Sequence, residues 1–178
     1  SEKMTNYSPF FYNEFFRINY YYPYRQGIPI PPFHLDPDMQ GYFFEEGAAI
    51  STINLEREKF GLSNLWSSRR LKQLTRIRAA DIAKTKQCTS HISQALGGDE
   101  GVQLKNAGIN PARSVANIYC HSGPPDPIQA VKWWMNSPGH RANILNKDIK
   151  LIAISVNYTA YDNQSHWSMI ATSDFNDY

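Results

Sequence analysis

The apolar positions of this chain change their period along its length, from a helical repeat in the first half to alternation near the end. Ile50, Ile53 and Phe60 fall near one side of a 3.6-residue repeat that starts at Glu46. They predict a helix running to Lys59, with Gly61 placed to end it. Ser67 or Ser68 can cap a second helix that runs to Gln87, with Leu71, Leu74, Ile77 and Ile82 as its apolar positions. Gly97-Gly98 breaks the chain, and a short helix fits Gly101 to Ala107. Ser114 to Tyr119 reads as a short strand. Asp126-Pro127 opens a helix, because Asp accepts otherwise unpaired N–H groups and Pro is pre-set for the first turn. Ile128, Val131, Trp134 and Met135 form its apolar stripe. Ser137-Pro138 repeats the signal for a helix with Ala142, Ile144 and Leu145.

Two alternating runs follow. Ile152, Ile154, Val156 and Tyr158 interleave with Ala153, Ser155 and Asn157, and a second run holds Trp167, Met169 and Ala171. The short polar loop from Tyr161 to Ser165 predicts an antiparallel hairpin. Helices first and strands last place the chain in the α+β class, with helices on a small antiparallel sheet.

Residues 1–45 have a different texture and read as an N-terminal extension, with the main domain over 46–178. Tyr7 to Tyr24 is dense in aromatic residues, and Gly27 to Pro32 must be extended because proline lacks an N–H and biases its predecessor away from helix. So many rings would not stay in water, and the expectation is that they pack onto the main domain.

Composition narrows the function classes. A net charge of +2 is too small for a nucleic-acid binder, which needs a clear excess of Lys and Arg. No run of about 18 apolar residues is present, so no segment reads as a membrane span. The opening residues from Ser1 contain no apolar signal core. The start at Ser1 is read as processing, which allows a lipoprotein-type membrane-surface attachment through an N-terminal anchor since removed. The chain is expected to be a monomer. Cys88 and Cys120 could form one disulfide or remain two buried thiols. The bond would close a loop worth about 3–4 kcal/mol in the chain-entropy model.

The string from Trp134 to Leu145, Trp-Met-Asn-Ser-Pro-Gly-His-Arg-Ala-Asn-Ile-Leu, resembles a signature of bacterial CAP proteins, the cysteine-rich secretory, antigen-five and pathogenesis-related-one (SCP-like) group. Other pieces stand in the same order. Ile53-Asn54 with Arg57 and Gly61-Leu62 resembles the first helix of the group, and Arg78 to Ala83 its second. Ser90-His91 resembles the histidine after that helix, Asn117-Ile118 the tail of a Gly-Glu-Asn-Ile motif, and His166-Trp167 through Phe175 the closing strand. The resemblance runs from Gly47 to Phe175 and implies a three-layer α-β-α sandwich with an open cleft.

Members of the group often carry two histidines and two acids in the cleft, able to hold zinc or another divalent ion. The histidines map to His91 and His140, but Ala116 and Ser137 stand where the acids are expected. Two imidazoles alone make a weak metal site, because stable zinc sites generally take three or four protein ligands. Asp99, Glu100 or His121 could substitute from a loop. No catalytic residue is assigned and no cofactor is required, though zinc or another divalent cation could bind weakly. The resemblance implies an extracellular or cell-surface binding protein, taking a host or matrix macromolecule or a lipid or sterol ligand. The alternative is a metal-dependent hydrolase, a peptidase or nuclease, using His91 and His140.

Other groupings carry weaker readings. A zinc site from Cys88, His91, Cys120 and His121 needs adjacent residues to reach one ion, and a Cys–His nucleophile pair lacks any recognisable local motif. Ser137 beside His140 could suggest a serine nucleophile but reads better as a helix cap. Arg69, Arg70, Lys72, Arg76, Arg78, Lys84 and Lys86 predict a solvated basic face, or a surface for an anionic partner. One of Trp133 and Trp134 should be core and the other should line the cleft or the surface. His34 and His166 read as structural or exposed, and Gly139 as permitting close backbone approach.

Overall fold

The computed structural model describes residues 42–177. The aromatic and proline-rich stretch and His34 lie outside the described residues, so the expectation about their packing does too.

The first helix, α1, spans Phe43–Glu58, and Gly61 follows it with φ +69°, a conformation that favours glycine. A two-residue strand β1, Trp66–Ser67, leads into α2, Arg69–Thr85. Ser68 caps α2 by accepting from the Leu71 N–H. Then come α3, Glu100–Asn106, and the long strand β2, Ser114–Ser122. Asp126 caps α4, Pro127–Met135, by accepting from the Gln129 N–H, and α5 follows over Pro138–Ile144. The hairpin β3, Leu151–Thr159, and β4, Gln164–Thr172, closes the domain.

The sheet order is β1-β3-β4-β2, with β1 parallel to β3 and the other pairs antiparallel. Each face of the sheet has its own core. Ile152, Ile154, Val156, Trp167 and Met169 point to one face and meet Ala49, Ile50 and Ile53 of α1 and Val131 and Trp134 of α4. Leu151, Ala153 and Ile170 point to the other and meet Leu71 and Leu74 of α2 and Leu104 of α3. The result is three layers, α-β-α, and it explains why β3 is buried on both faces from Leu151 to Val156. Ser155, which alternation alone would give to solvent, is fully buried with its hydroxyl 2.8 Å from Thr75 Oγ1 on α2.

Several expected positions differ. Phe60, Ile77 and Ile128 are exposed rather than part of the buried stripes. Arg57 is completely buried instead, donating from Nε to the Ser63 carbonyl and from Nη1 to those of Ile144 and Asn146. It fastens the end of α1 to the end of α5. Only part of the basic run on α2 is a solvated face, with Lys84 and Lys86 exposed. Lys72 and Arg76 turn inward to the buried Glu46 carboxylate, at 2.9 and 2.8 Å, and Arg78 is fully buried. The acid that neutralises Lys72 and Arg76 comes from α1, so no local reading of α2 could find it, whereas Arg78 pairs with Asp81 of α2 itself.

Candidate functional site

His91 sits in the loop after α2, and three ties place that loop. Arg78 donates from Nη1 to Asp81 Oδ2 at 3.0 Å and from Nη2 to the Ser90 carbonyl at 2.5 Å. Cys88 is disulfide-bonded to Cys120 of β2, with the Cα atoms 5.8 Å apart, which settles the choice between bond and free thiols. The His91 ring itself is held through Nδ1, 2.7 Å from Oε1 of Glu100 at the start of α3. This carboxylate raises the His91 pKa, against an opposing effect of burial and of the Arg78 charge. When His91 is protonated, imidazolium and carboxylate form a partly exposed ion pair.

His140 lies on α5 and is positioned by β2. Asn117 is buried in β2 and donates from Nδ2 to the His140 carbonyl at 3.1 Å. Asn143, one turn on, donates to Asn117 Oδ1 and to the Ala116 carbonyl. The His140 Nδ1 lies 2.8 Å from the Ser137 hydroxyl. Ser137 keeps the cap position of α5, but its side chain makes no capping hydrogen bond and is given to the histidine instead. Burial lowers the His140 pKa, and the nearby His91 charge adds to the shift. The two rings are thus electrostatic neighbours with opposite proton preferences. Glu100 favours the charged form of His91, and burial favours the neutral form of His140.

Aromatic rings continue from His140. Trp133, 43% exposed, lies 5.0 Å from the His140 ring and stacks on Tyr119 at 4.7 Å. Tyr119 stacks in turn on His121 at 5.3 Å. Trp134 takes the core role of the tryptophan pair, with Nε1 donating to the Ile118 carbonyl.

Of the three proposed substitutes for the missing acids, Glu100 alone reaches a cleft histidine among the described contacts. Asp99 Oδ1 is used to cap α3. His121 has both nitrogens engaged, Nδ1 with the Ser122 carbonyl and Nε2 accepting from Trp167 Nε1 at 2.9 Å. Ala116 is packed against the α2–α3 core. Gly139 has nothing within 4 Å of the place a Cβ would take, so the close-approach reading of it is wrong. An open pocket of about 400 Å³ between Leu74, the 94–97 loop and α3 includes neither cleft histidine.

A divalent ion at this cleft would need a third protein ligand. Both imidazoles have Nδ1 on an orienting oxygen, the usual arrangement for a metal-bound histidine that ligates through Nε2. Among the described residues, however, the set of three potential ligand atoms within 4.8 Å of one another is Cys88, Cys120 and His166, not His91 and His140 with an acid. The cleft residues do not fit a three-ligand metal site.

Residues 50–171 match the family described as "CAP: Cysteine-rich secretory protein family". The chain belongs to this family. Among relatives, this CAP chain is 34% identical over 109 residues to the Bacillus subtilis protein YkwD, described as uncharacterized. The match covers 61% of this chain and 41% of YkwD, so the chain spans less than half the length of that relative. The CAP domain also superposes on an outer surface protein of Borrelia burgdorferi with TM-score 0.67, at 16% identity, covering 76% of this chain and 96% of that one. An extracellular protein of Bacillus anthracis containing an SCP domain gives TM-score 0.63 at 21% identity, over 80% of this chain and 45% of its own. At these identities the likeness concerns the fold. No described helix of the CAP domain is long and apolar enough to cross a membrane.

Proposed function

We propose that this CAP domain is a non-catalytic binding protein working outside the cytoplasm, with a degenerate metal site at His91 and His140. Its partner is a host or matrix macromolecule, or an apolar ligand such as a lipid or sterol. The observation that carries the reading is the exposed Trp133 ledge, stacked on Tyr119 and tilted against His140, beside two imidazoles that lack a third ligand. An exposed aromatic next to a cleft is a binding anchor in need of a partner. The disulfide supports an oxidising compartment, as do the extracellular and outer-surface descriptions of the two solved structures.

Titration of the full chain with sterol-containing and sterol-free vesicles, and with immobilised matrix proteins, tests the reading through Trp fluorescence and retention. Saturable binding that Trp133→Ala weakens at least ~10-fold, the scale of a central interface anchor, supports it. Absence of binding in all arms, or binding indifferent to Trp133, overturns it.

A second reading, a hydrolase using His91 and His140, is favoured by Glu100. This carboxylate favours the protonated form of one imidazole while burial favours the neutral form of the other, the pairing an acid and a base side by side would need. Zinc calorimetry separates its metal-dependent form. One-to-one binding at micromolar level or tighter, lost in His91→Ala, would establish that form, and heat no greater than buffer dilution would remove it.

A further inference from the structure

The bond between Cys88 and Cys120 has a third participant. Cys120 lies directly opposite His166 in the β2–β4 ladder, and one ligand atom of each of Cys88, Cys120 and His166 lies within 4.8 Å of the others. His166 is buried, while the two cysteines are half-buried and open to a small reagent. We propose that the disulfide is the closed form of a metal site, and that its reduction creates a thiolate–thiolate–imidazole centre for a soft divalent ion of the zinc type.

The geometry meets the requirements one by one. The 5.8 Å between the two Cα atoms is set by the sheet and the anchored loop, and rotation about the Cα–Cβ bonds can part the sulfurs without moving the backbone. Zinc–sulfur bonds of about 2.3 Å and zinc–nitrogen bonds of about 2.0–2.1 Å need donors only this far apart. The His166 Nδ1 is 3.3 Å from the Asn157 carbonyl, so this ring is oriented by a backbone oxygen and keeps Nε2 for the ion. Two thiolates balance the ion's charge, so the half-buried centre is neutral overall. A water can take the fourth position, as in other Cys2His zinc sites.

The chemistry closes with one named co-reactant, a dithiol. The dithiol passes two electrons to the disulfide and becomes a cyclic disulfide itself, leaving two protein thiols. Binding of the ion then releases the two thiol protons. The site differs from the His91–His140 cleft in its residues and in its need for reduction.

Cobalt(II) titration of the full chain, after reduction and removal of the dithiol under anaerobic conditions, tests the proposal. Cobalt bound to thiolate gives a sulfur-to-metal charge-transfer band that imidazole and carboxylate ligands cannot produce, so binding at the cleft cannot imitate it. The expected result is a one-to-one band, displaced by zinc and absent from the oxidised protein. His166→Ala should weaken binding by at least ~10-fold, the lower end of what even an outer-shell partner is worth. Should His166→Ala fail to fold, Cys88→Ser serves instead and should cut the band to about half or less, because one of the two thiolates is gone. No band from the reduced chain, or a band unchanged by these substitutions, shows that the bond is a structural staple only.

Discussion

At the scale of single residues, the cleft is organised by which oxygen meets which imidazole. Glu100 supplies a full negative charge to His91, whereas Ser137 offers His140 only a hydroxyl. The ordinary histidine pKa is about 6.5, and His91 should titrate above it by NMR while His140 titrates below. Glu100→Gln removes the charge and should bring the His91 value down, leaving burial and Arg78 to dominate. The stability consequences have opposite signs. The His91–Glu100 pair contributes fully below the unfolded pKa of His91, and that contribution fades as pH rises through the elevated folded value. His140 costs nothing at high pH, and stability falls as pH drops below its unfolded pKa towards the lowered folded one. Urea midpoints measured across this range in wild type and in Glu100→Gln separate the two, since Glu100→Gln should flatten only the upper limb.

At the scale of elements, charged side chains do the joining. The guanidinium of Arg57 holds three carbonyls at the junction of α1, the loop after it and α5. Arg57→Ala leaves the buried Ile144 carbonyl unpaired at roughly 1–3 kcal/mol, while water can reach those of Ser63 and Asn146, so chemical denaturation should show a loss of at least ~1 kcal/mol. Position in the α1 motif pointed to Arg57, but a local reading could not assign its partners, which lie 87 and 89 residues away. The same distance problem hid Glu46. Its carboxylate accepts from the Val156 N–H at 2.8 Å while pairing with Lys72 and Arg76, so one buried acid joins α1, α2 and β3. Helix caps were different. Asp126 and Ser68 act on N–H groups three residues away and were readable from spacing.

At the scale of the whole molecule, the disulfide links the two halves of the candidate site. It ties the loop carrying His91 to β2, the strand that also positions His140 through Asn117. Reduction without metal should lower unfolding stability by about 3–4 kcal/mol for a loop of this length. Thermal melts of oxidised and reduced protein measure the loss, and added zinc should recover part of it if the reduced centre forms. Periodicity, caps and turn residues were sufficient to determine the succession of the helices and of the three long strands, because each depends on neighbours a few positions apart, but they missed the two-residue strand β1, which exists only through its pairing with β3. The family resemblance carried by the Trp134–Leu145 string pointed to His140. Tertiary structure alone decided that Glu100 meets His91, that Ser137 serves a histidine, that Lys72 and Arg76 of α2 are neutralised by Glu46 of α1, and that Cys120 faces His166. Each of these depends on segments brought together from separate parts of the chain, and the energy that selects them comes from burying both faces of one sheet.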